Sequence, residues 1–247
     1  MKRFLKPSEL PFLILCSAAL TFIVRALLFV SAVGGVGRGL LRTGTWPDIL
    51  SWILVAVTMG ILFVGTWEMR DPVKYSRKFR NALIATISMA IAAVCFCFTS
   101  LLELFSETDT VGFVSAVLGF LAAAALGLLA WGRMRGKQLS MVFHGIVCLY
   151  LMLHLVSHYR LWSSSPQLQS YAFELLAIVF VMLASYHRAA ADAGHGICRS
   201  HTLCSLAAVY FCIAALPGCD NPIFFIGSAI WMFCTPCRLL DPFQGEA

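Results

Sequence analysis

Long uninterrupted apolar blocks are the feature that most constrains how this chain can fold. Eight such blocks, most of them roughly 16–25 residues long, alternate with short polar segments. A helix of about 20 apolar residues crosses the hydrocarbon core of a bilayer. Only helices and closed barrels satisfy their backbone hydrogen bonds in lipid, and a barrel would need shorter segments of alternating polarity. We therefore predict an all-α polytopic transmembrane helical bundle.

The predicted spans cover residues 10–34, 49–67, 82–105, 111–131, 141–158, 171–187, 202–217 and 222–236. The last two are short and are joined by a turn of helix breakers from Pro217 to Pro222. The alternative is a re-entrant hairpin, which would leave six full spans. The first block exceeds the apolar core of a signal peptide and contains Arg25, so we expect an uncleaved membrane helix.

The distribution of charge predicts one membrane domain over residues 1–247 and its orientation. Only 12% of residues are charged, about half the share in soluble proteins. With eight spans, fourteen of the eighteen Lys and Arg residues lie on the same side of the membrane as the N-terminus. Arg38, Arg42 and Arg160 lie on the opposite side. This bias predicts cytoplasmic termini. It also explains the net charge of +6 without a nucleic-acid partner.

The fifth and sixth spans carry the best candidate for a functional site. At 100° per residue, His144, His154 and His158 fall in one stripe of the fifth span. The facing stripe of the sixth span holds Glu174, Ser185, Arg188 and Asp192. A carboxylate opposite imidazoles can hold and pass a proton, which predicts a ligand or proton site. The alternative is that these groups only hold helices together by hydrogen bonds.

Arg25 lies deep within the first span, where an unpaired charge is expensive. Glu103 and Glu174 lie near the same predicted side of the membrane, so either carboxylate could neutralise it. We predict an intramembrane ion pair, with Glu103 as the first candidate. The alternative is that Arg25 extends alone to the membrane surface.

Two cysteine patterns point to a different chemistry. Cys234 and Cys237 have the Cys-x-x-Cys spacing of thiol-redox and metal sites. A second stretch has four possible metal ligands at steps of three, His195, Cys198, His201 and Cys204. Most of the ten cysteines lie in apolar blocks, where free cysteine behaves as a small hydrophobe. We therefore expect no cofactor, and keep a membrane thiol-redox or metal-handling protein as an alternative.

The fourth span carries small residues about four positions apart, namely Gly112, Ser115, Gly119, Ala123 and Gly127. This spacing predicts close packing against another helix. Membrane lipid is the expected partner, and a protein partner or a second copy of the chain is possible. A structural subunit of a membrane complex is therefore a further alternative.

Enzyme motifs are missing from the sequence. It contains no Gly-x-x-x-x-Gly-Lys phosphate loop and no His-Glu-x-x-His zinc motif. Gly227-Ser228-Ala229 lacks the flanks of a serine nucleophile elbow. An enzymatic function is therefore the less favoured reading.

One stretch, residues 160–190, resembles small multi-pass bacterial membrane proteins of unassigned function. The resemblance rests on Arg160-Leu161-Trp162, Pro166, the run from Tyr171 to Leu176 and the run from Tyr186 to Ala190. It implies a bacterial cytoplasmic membrane and no particular activity. We predict a small transport or ligand-binding membrane component without an ATPase domain of its own.

Overall fold

The computed structural model describes residues 9–33, 46–67, 83–106, 110–135, 140–163, 171–193, 195 and 197–239. Within these ranges the chain is helical and contains no strand. The helices are α1 (Leu10–Val33), α2 (Trp46–Trp67), α3 (Leu83–Ser106), α4 (Thr110–Met134), α5 (Val142–Ser163), α6 (Ala172–Asp192), α7 (Cys198–Ala215) and α8 (Pro222–Leu239). The predicted all-α fold is confirmed.

Seven of the described helices, α1 to α7, are long and apolar enough to cross a membrane. The eighth, α8, is apolar over the shorter stretch Pro222–Pro236. Large apolar side chains such as Val30, Val94 and Phe105 point outward and are exposed, as a lipid-facing surface requires. The chain is therefore a multi-pass membrane protein, while the count of eight crossings and the orientation of the termini stay predictions.

Six helices pack against one another in a closed cyclic order. Each helix from α3 to α8 contacts the next along the chain, and α8 contacts α3. We call this arrangement the six-helix ring. Helices α1 and α2 pack against each other and against α7 on one side of it. Helix α7 is therefore covered by four neighbouring helices. This agrees with the burial of 78% of its residues.

The small-residue face of α4 is mostly buried, and it approaches α3 at Gly119. Gly112, Ser115, Gly119 and Ala123 are buried. A Cβ atom on Gly119 would collide with the Ser100 hydroxyl and would lie 2.9 Å from Cε2 of Tyr150. A Cβ atom on Gly127 would meet nothing within 4 Å. The predicted close approach is therefore present, and it depends on Gly119 more than on Gly127.

We expect Gly119→Ala to lower the free energy of unfolding by about 1–3 kcal/mol, the usual effect of overpacking. The added methyl group must displace Ser100 or Tyr150, both of which are buried. Gly127→Ala is the matched control, and it should be neutral or slightly stabilising because alanine favours helix. Unfolding in detergent, followed by tryptophan fluorescence, measures both. Equal stability of the two variants would contradict the packing argument.

The turn between α7 and α8 contains the glycine that the chain reversal needs. Gly218 has a φ of +84°, which side chains with a Cβ atom rarely adopt. A Cβ atom there would also collide with the ring of Phe29 on α1. Beside it, burial raises the pKa of the Cys219 thiol to about 12, and the nearby Glu174 carboxylate adds to the effect. This thiol is therefore protonated and unreactive at neutral pH.

Candidate functional site

Two clusters of polar side chains lie between helices of the six-helix ring, one of them buried and the other partly exposed. The first, the Glu103 cluster, consists of Glu103 on α3 with His154 and His158 on α5. The second, the Asp192 cluster, consists of Arg133 on α4, His144 on α5 and Asp192 on α6. Four aromatic side chains lie between them and form the aromatic layer, Phe96, Tyr150, Phe224 and Trp231.

The Glu103 cluster is a carboxylate beside two imidazoles. Oε1 of Glu103 lies 3.2 Å from Nδ1 of His154, and the rings of His154 and His158 are 4.1 Å apart between centroids. Nδ1 of His158 donates a hydrogen bond to the backbone carbonyl of His154 at 3.1 Å. All three side chains are at most 9% exposed. A carboxylate therefore lies beside these histidines, but it is Glu103 of α3 and not Glu174, which the sequence predicts.

Glu174, expected to face His154 and His158, lies in a different environment. It is buried, and its charge, like that of Asp48, attracts the Arg25 guanidinium. The Arg25 guanidinium also lies over the Phe173 ring, 3.9 Å from its centre. Of the two carboxylates considered for Arg25, the structure therefore favours Glu174, and it places Glu103 beside His154.

The aromatic layer closes the interior of the ring next to the Glu103 cluster. Phe224 lies 4.7 Å from the His154 ring and stacks on Phe96 at 5.0 Å. Phe96 also contacts Tyr150 at 5.6 Å and the edge of Trp231 at 6.4 Å. These four side chains are fully buried. They separate the Glu103 cluster from the polar residues at the other end of the ring.

Arg188 lies on the far side of the aromatic layer and links three helices. Its Nη1 atom donates to the Thr235 hydroxyl of α8 at 2.6 Å, and Nη2 donates to the Met89 sulfur of α3 at 3.6 Å. Thr235 in turn donates to the carbonyl of Trp231 at 2.9 Å. Arg188 is therefore a buried cation inside the ring, directly below the aromatic layer.

The Asp192 cluster repeats the pairing of carboxylate and imidazole at the second end. Oδ2 of Asp192 accepts hydrogen bonds from Nη2 of Arg133 at 2.7 Å and from Nε2 of His144 at 2.9 Å. Because the carboxylate can only accept when ionised, the proton of this imidazole lies on Nε2. Arg188 adds a further attraction on Asp192. This end of the ring therefore has two guanidinium groups for one carboxylate.

Sequence reasoning missed Arg133, Thr235 and the aromatic layer as parts of the site. In the sequence, Arg133 follows the apolar part of its span, so it is expected only to contribute to membrane orientation. The sequence position of Arg133 could have indicated its role, because Arg133 and His144 lie on either side of one short loop. Both side chains contact Asp192. The aromatic residues look like ordinary core residues in the sequence.

The cysteine patterns do not form a recognisable site in the described part of the chain. There, the one group of three ligand residues with donor atoms within 4.8 Å of one another is Glu103, His154 and His158. Cys198, His201 and Cys204 are buried along α7 without joining such a group. Cys234 is a half-buried free thiol, and the side chain of Cys237 lies outside the described residues. The Cys234 and Cys237 pair therefore stays a prediction.

Similarity to other proteins does not assign a role to these clusters. The candidate site therefore depends on the geometry of the six-helix ring. No protein-family model matches the chain, and no curated protein or solved structure matches it at a significant level.

Proposed function

We propose that the protein is a small membrane transport component that carries a proton or a small cation through the six-helix ring. One observation supports this above the others: the ionisable side chains within each of the Glu103 and Asp192 clusters contact one another between helices of the ring, and the Glu103 cluster is buried. Ionisable groups buried in a membrane bundle are expensive, and those facing its interior commonly mark ion pathways. The role needs no ATPase domain, because an ion gradient can drive it.

The two clusters offer the same chemistry at two depths. Each places a carboxylate oxygen about one hydrogen-bond length from an imidazole nitrogen, at 3.2 Å for His154 and 2.9 Å for His144. Imidazole exchanges protons near neutral pH, so each pair can hold and release a proton. A transported cation would thus find a polar station on either side of the aromatic layer.

The electrostatics of the two stations differ. Glu103 lies beside two imidazoles in its cluster, whereas Asp192 is bonded to Arg133 and attracted by Arg188. A positive ion is therefore repelled by two guanidinium groups at the Asp192 cluster. In this proposal the first cluster is the binding station and the second favours release.

The aromatic layer is the closed barrier of this proposal. Apolar constrictions stop ions by excluding water, and the four rings of this layer are fully buried. Transport then requires Phe96, Phe224 or their neighbours to move aside during each cycle. Such side-chain and helix motions occur on microsecond to millisecond timescales in other membrane proteins.

Ion flux through reconstituted vesicles tests the proposal. Vesicles carry a pH-sensitive or cation-sensitive dye inside, and a potassium gradient with valinomycin sets the voltage. We expect flux at least about tenfold above protein-free vesicles, as a dedicated intramembrane ion pathway implies. Glu103→Gln should return the flux to background, whereas Glu9→Gln, an exposed carboxylate outside α1, should leave it unchanged.

Equal flux for Glu103→Gln and the unmodified protein would refute the proposed route. A complete absence of flux for protons and for mono- and divalent cations would favour the structural role instead. In that role the buried polar groups serve as interhelical hydrogen bonds, and co-purification from native membrane would identify the complex.

The cellular setting belongs to the same proposal. The excess of basic residues on one side of the spans supports cytoplasmic termini, which puts the Glu103 cluster in the outer half of the membrane. The resemblance of residues 160–190 supports a bacterial cytoplasmic membrane. Membrane lipid is the proposed partner of the exposed apolar faces, and a protein partner or second copy is compatible with them.

A further inference from the structure

We infer that Glu103, His154 and His158 form a binding site for a divalent transition-metal ion such as Zn²⁺. This inference names the cation of the proposed function and rests on it for the transport step. Binding itself is measurable without any flux. The inference starts from the donor atoms of the three residues, which all lie within 4.8 Å of one another.

The distance between Glu103 and His154 suits two ligands of one ion. Their Oε1 and Nδ1 atoms are 3.2 Å apart, and at the buried Nδ1 of His154 this contact lacks the geometry of a hydrogen bond. Zinc bonds of about 2.0–2.2 Å in a tetrahedron place neighbouring ligand atoms about 3.3 Å apart. The observed separation therefore matches the spacing of two ligands on one metal ion.

The second imidazole is oriented as metal-binding histidines are. Nδ1 of His158 donates to the backbone carbonyl of His154 at 3.1 Å, which fixes the proton on that nitrogen. The lone pair then lies on Nε2, the nitrogen available as a ligand. A ligating histidine usually donates its other N–H to a carbonyl or carboxylate in this way, and the hydrogen bond fixes the tautomer.

The surroundings favour a transition metal over an alkali or alkaline-earth cation. Two imidazoles and one carboxylate suit Zn²⁺ and similar ions, whereas Ca²⁺ and Mg²⁺ prefer oxygen ligands. Glu103 and both histidines are buried, and the His154 ring contacts Phe224. A divalent ion would offset the cost of burying a carboxylate. Three protein ligands leave a coordination position open, as exchange of a transported ion requires.

Metal titration of the purified protein tests the inference. Protein prepared with a tag that contains no histidine is treated with chelator, dialysed, and titrated with Zn²⁺ by calorimetry and with Co²⁺ by visible absorption. We expect about one ion per chain, with Co²⁺ giving the intense visible bands of a four-coordinate site. His158→Gln and Glu103→Gln should each weaken binding by at least about 100-fold. This exceeds the usual loss when a residue that only hydrogen-bonds to a metal ligand is replaced.

The matched controls are His187→Gln, at a half-buried histidine of α6, and Glu9→Gln, at an exposed carboxylate. Both variants should bind the ion as tightly as the unmodified protein does. The Co²⁺ spectrum of the unmodified protein needs no variant, so a variant that fails to fold does not remove the test. The metal site is overturned if the unmodified protein binds no stoichiometric ion. It is also overturned if His158→Gln and Glu103→Gln bind the ion as tightly as the unmodified protein does.

The outcomes separate this inference from the proposed function. Tight Zn²⁺ binding without zinc flux in vesicles would confirm the site and contradict zinc transport. Proton flux that depends on Glu103, with no metal bound, would overturn the inference and leave a proton as the transported ion. In that case His154 and Glu103 share a proton at their 3.2 Å contact.

Discussion

Phe96→Ala is expected to raise ion flux through the reconstituted protein by at least about tenfold, since it removes the central ring of an apolar constriction. Phe96 is the aromatic side chain that contacts all three other members of the layer. Its removal leaves a gap between the Glu103 cluster and Arg188 that water can enter. The vesicle flux assay measures the rate, and Phe96→Leu should give an intermediate value.

Phe180→Ala is the control for this prediction. Phe180 stacks on Phe211 between α6 and α7 with centroids 5.3 Å apart, so its loss tests a general loosening of aromatic packing. Phe96→Ala is expected to lower stability by about 3–5 kcal/mol, and Phe180→Ala by less because Phe180 is partly buried. Folding of both variants is checked by gel filtration before flux is compared. A Phe96→Ala protein that folds and conducts no faster than Phe180→Ala would show that the layer is not the barrier.

Asp192→Asn is expected to lower the free energy of unfolding by about 3 kcal/mol, the lower end of the range for breaking a buried ion pair. The substitution keeps the shape of the side chain and removes its charge. It leaves the Arg133 guanidinium, which is 9% exposed, without its 2.7 Å counter-charge, and it weakens the contact with His144. Unfolding in detergent, followed by tryptophan fluorescence, gives the value.

Asp220→Asn is the matched substitution at an exposed carboxylate in the α7–α8 turn, and its effect should stay within about 0.5 kcal/mol. The double variant Asp192→Asn with Arg133→Met should recover part of the lost stability, because the uncompensated charge is gone. Additive losses in the double variant would contradict this explanation and assign the effect to packing.

The fold was predictable because the bilayer imposes a simple rule. Each apolar block had to become a helix, since the backbone has no hydrogen-bond partner in lipid. The helix ends were less predictable. Helix α6 continues to Asp192 and α4 to Met134, a turn or so beyond the apolar blocks, because polar residues extend a helix where other helices or water solvate them. Arg133 and Asp192 meet on those extensions.

The candidate site was predictable only in part, because helical periodicity gives the face of a residue and not the helix opposite. The stripe of His154 and His158 was found, and the short loop after α5 suggested Glu174 as their partner. The actual partner, Glu103, arrives from α3 because the contact between α8 and α3 closes the ring. That contact joins segments more than a hundred residues apart, and the sequence carries no local sign of it.

The rotation of α6 about its axis determines which side chains surround Glu174. Phe173, the preceding residue, packs on Trp52 at 5.1 Å and on Phe211 at 6.2 Å, on the side of the bundle where α1 and α2 lie. Glu174 follows it toward Arg25 and away from the histidines. Aromatic packing of Phe173 against α2 and α7 therefore accounts for the position of Glu174.

The central claim, that the interior of the six-helix ring is the ion route, is tested most directly by a high-resolution map of the protein in lipid nanodiscs. The account predicts ordered water or an ion at the Glu103 cluster and water at the Asp192 cluster, with a dry aromatic layer between them. It would be contradicted by a ring whose interior is dry throughout, with Glu103, His154 and Asp192 hydrogen-bonded only to neighbouring helices.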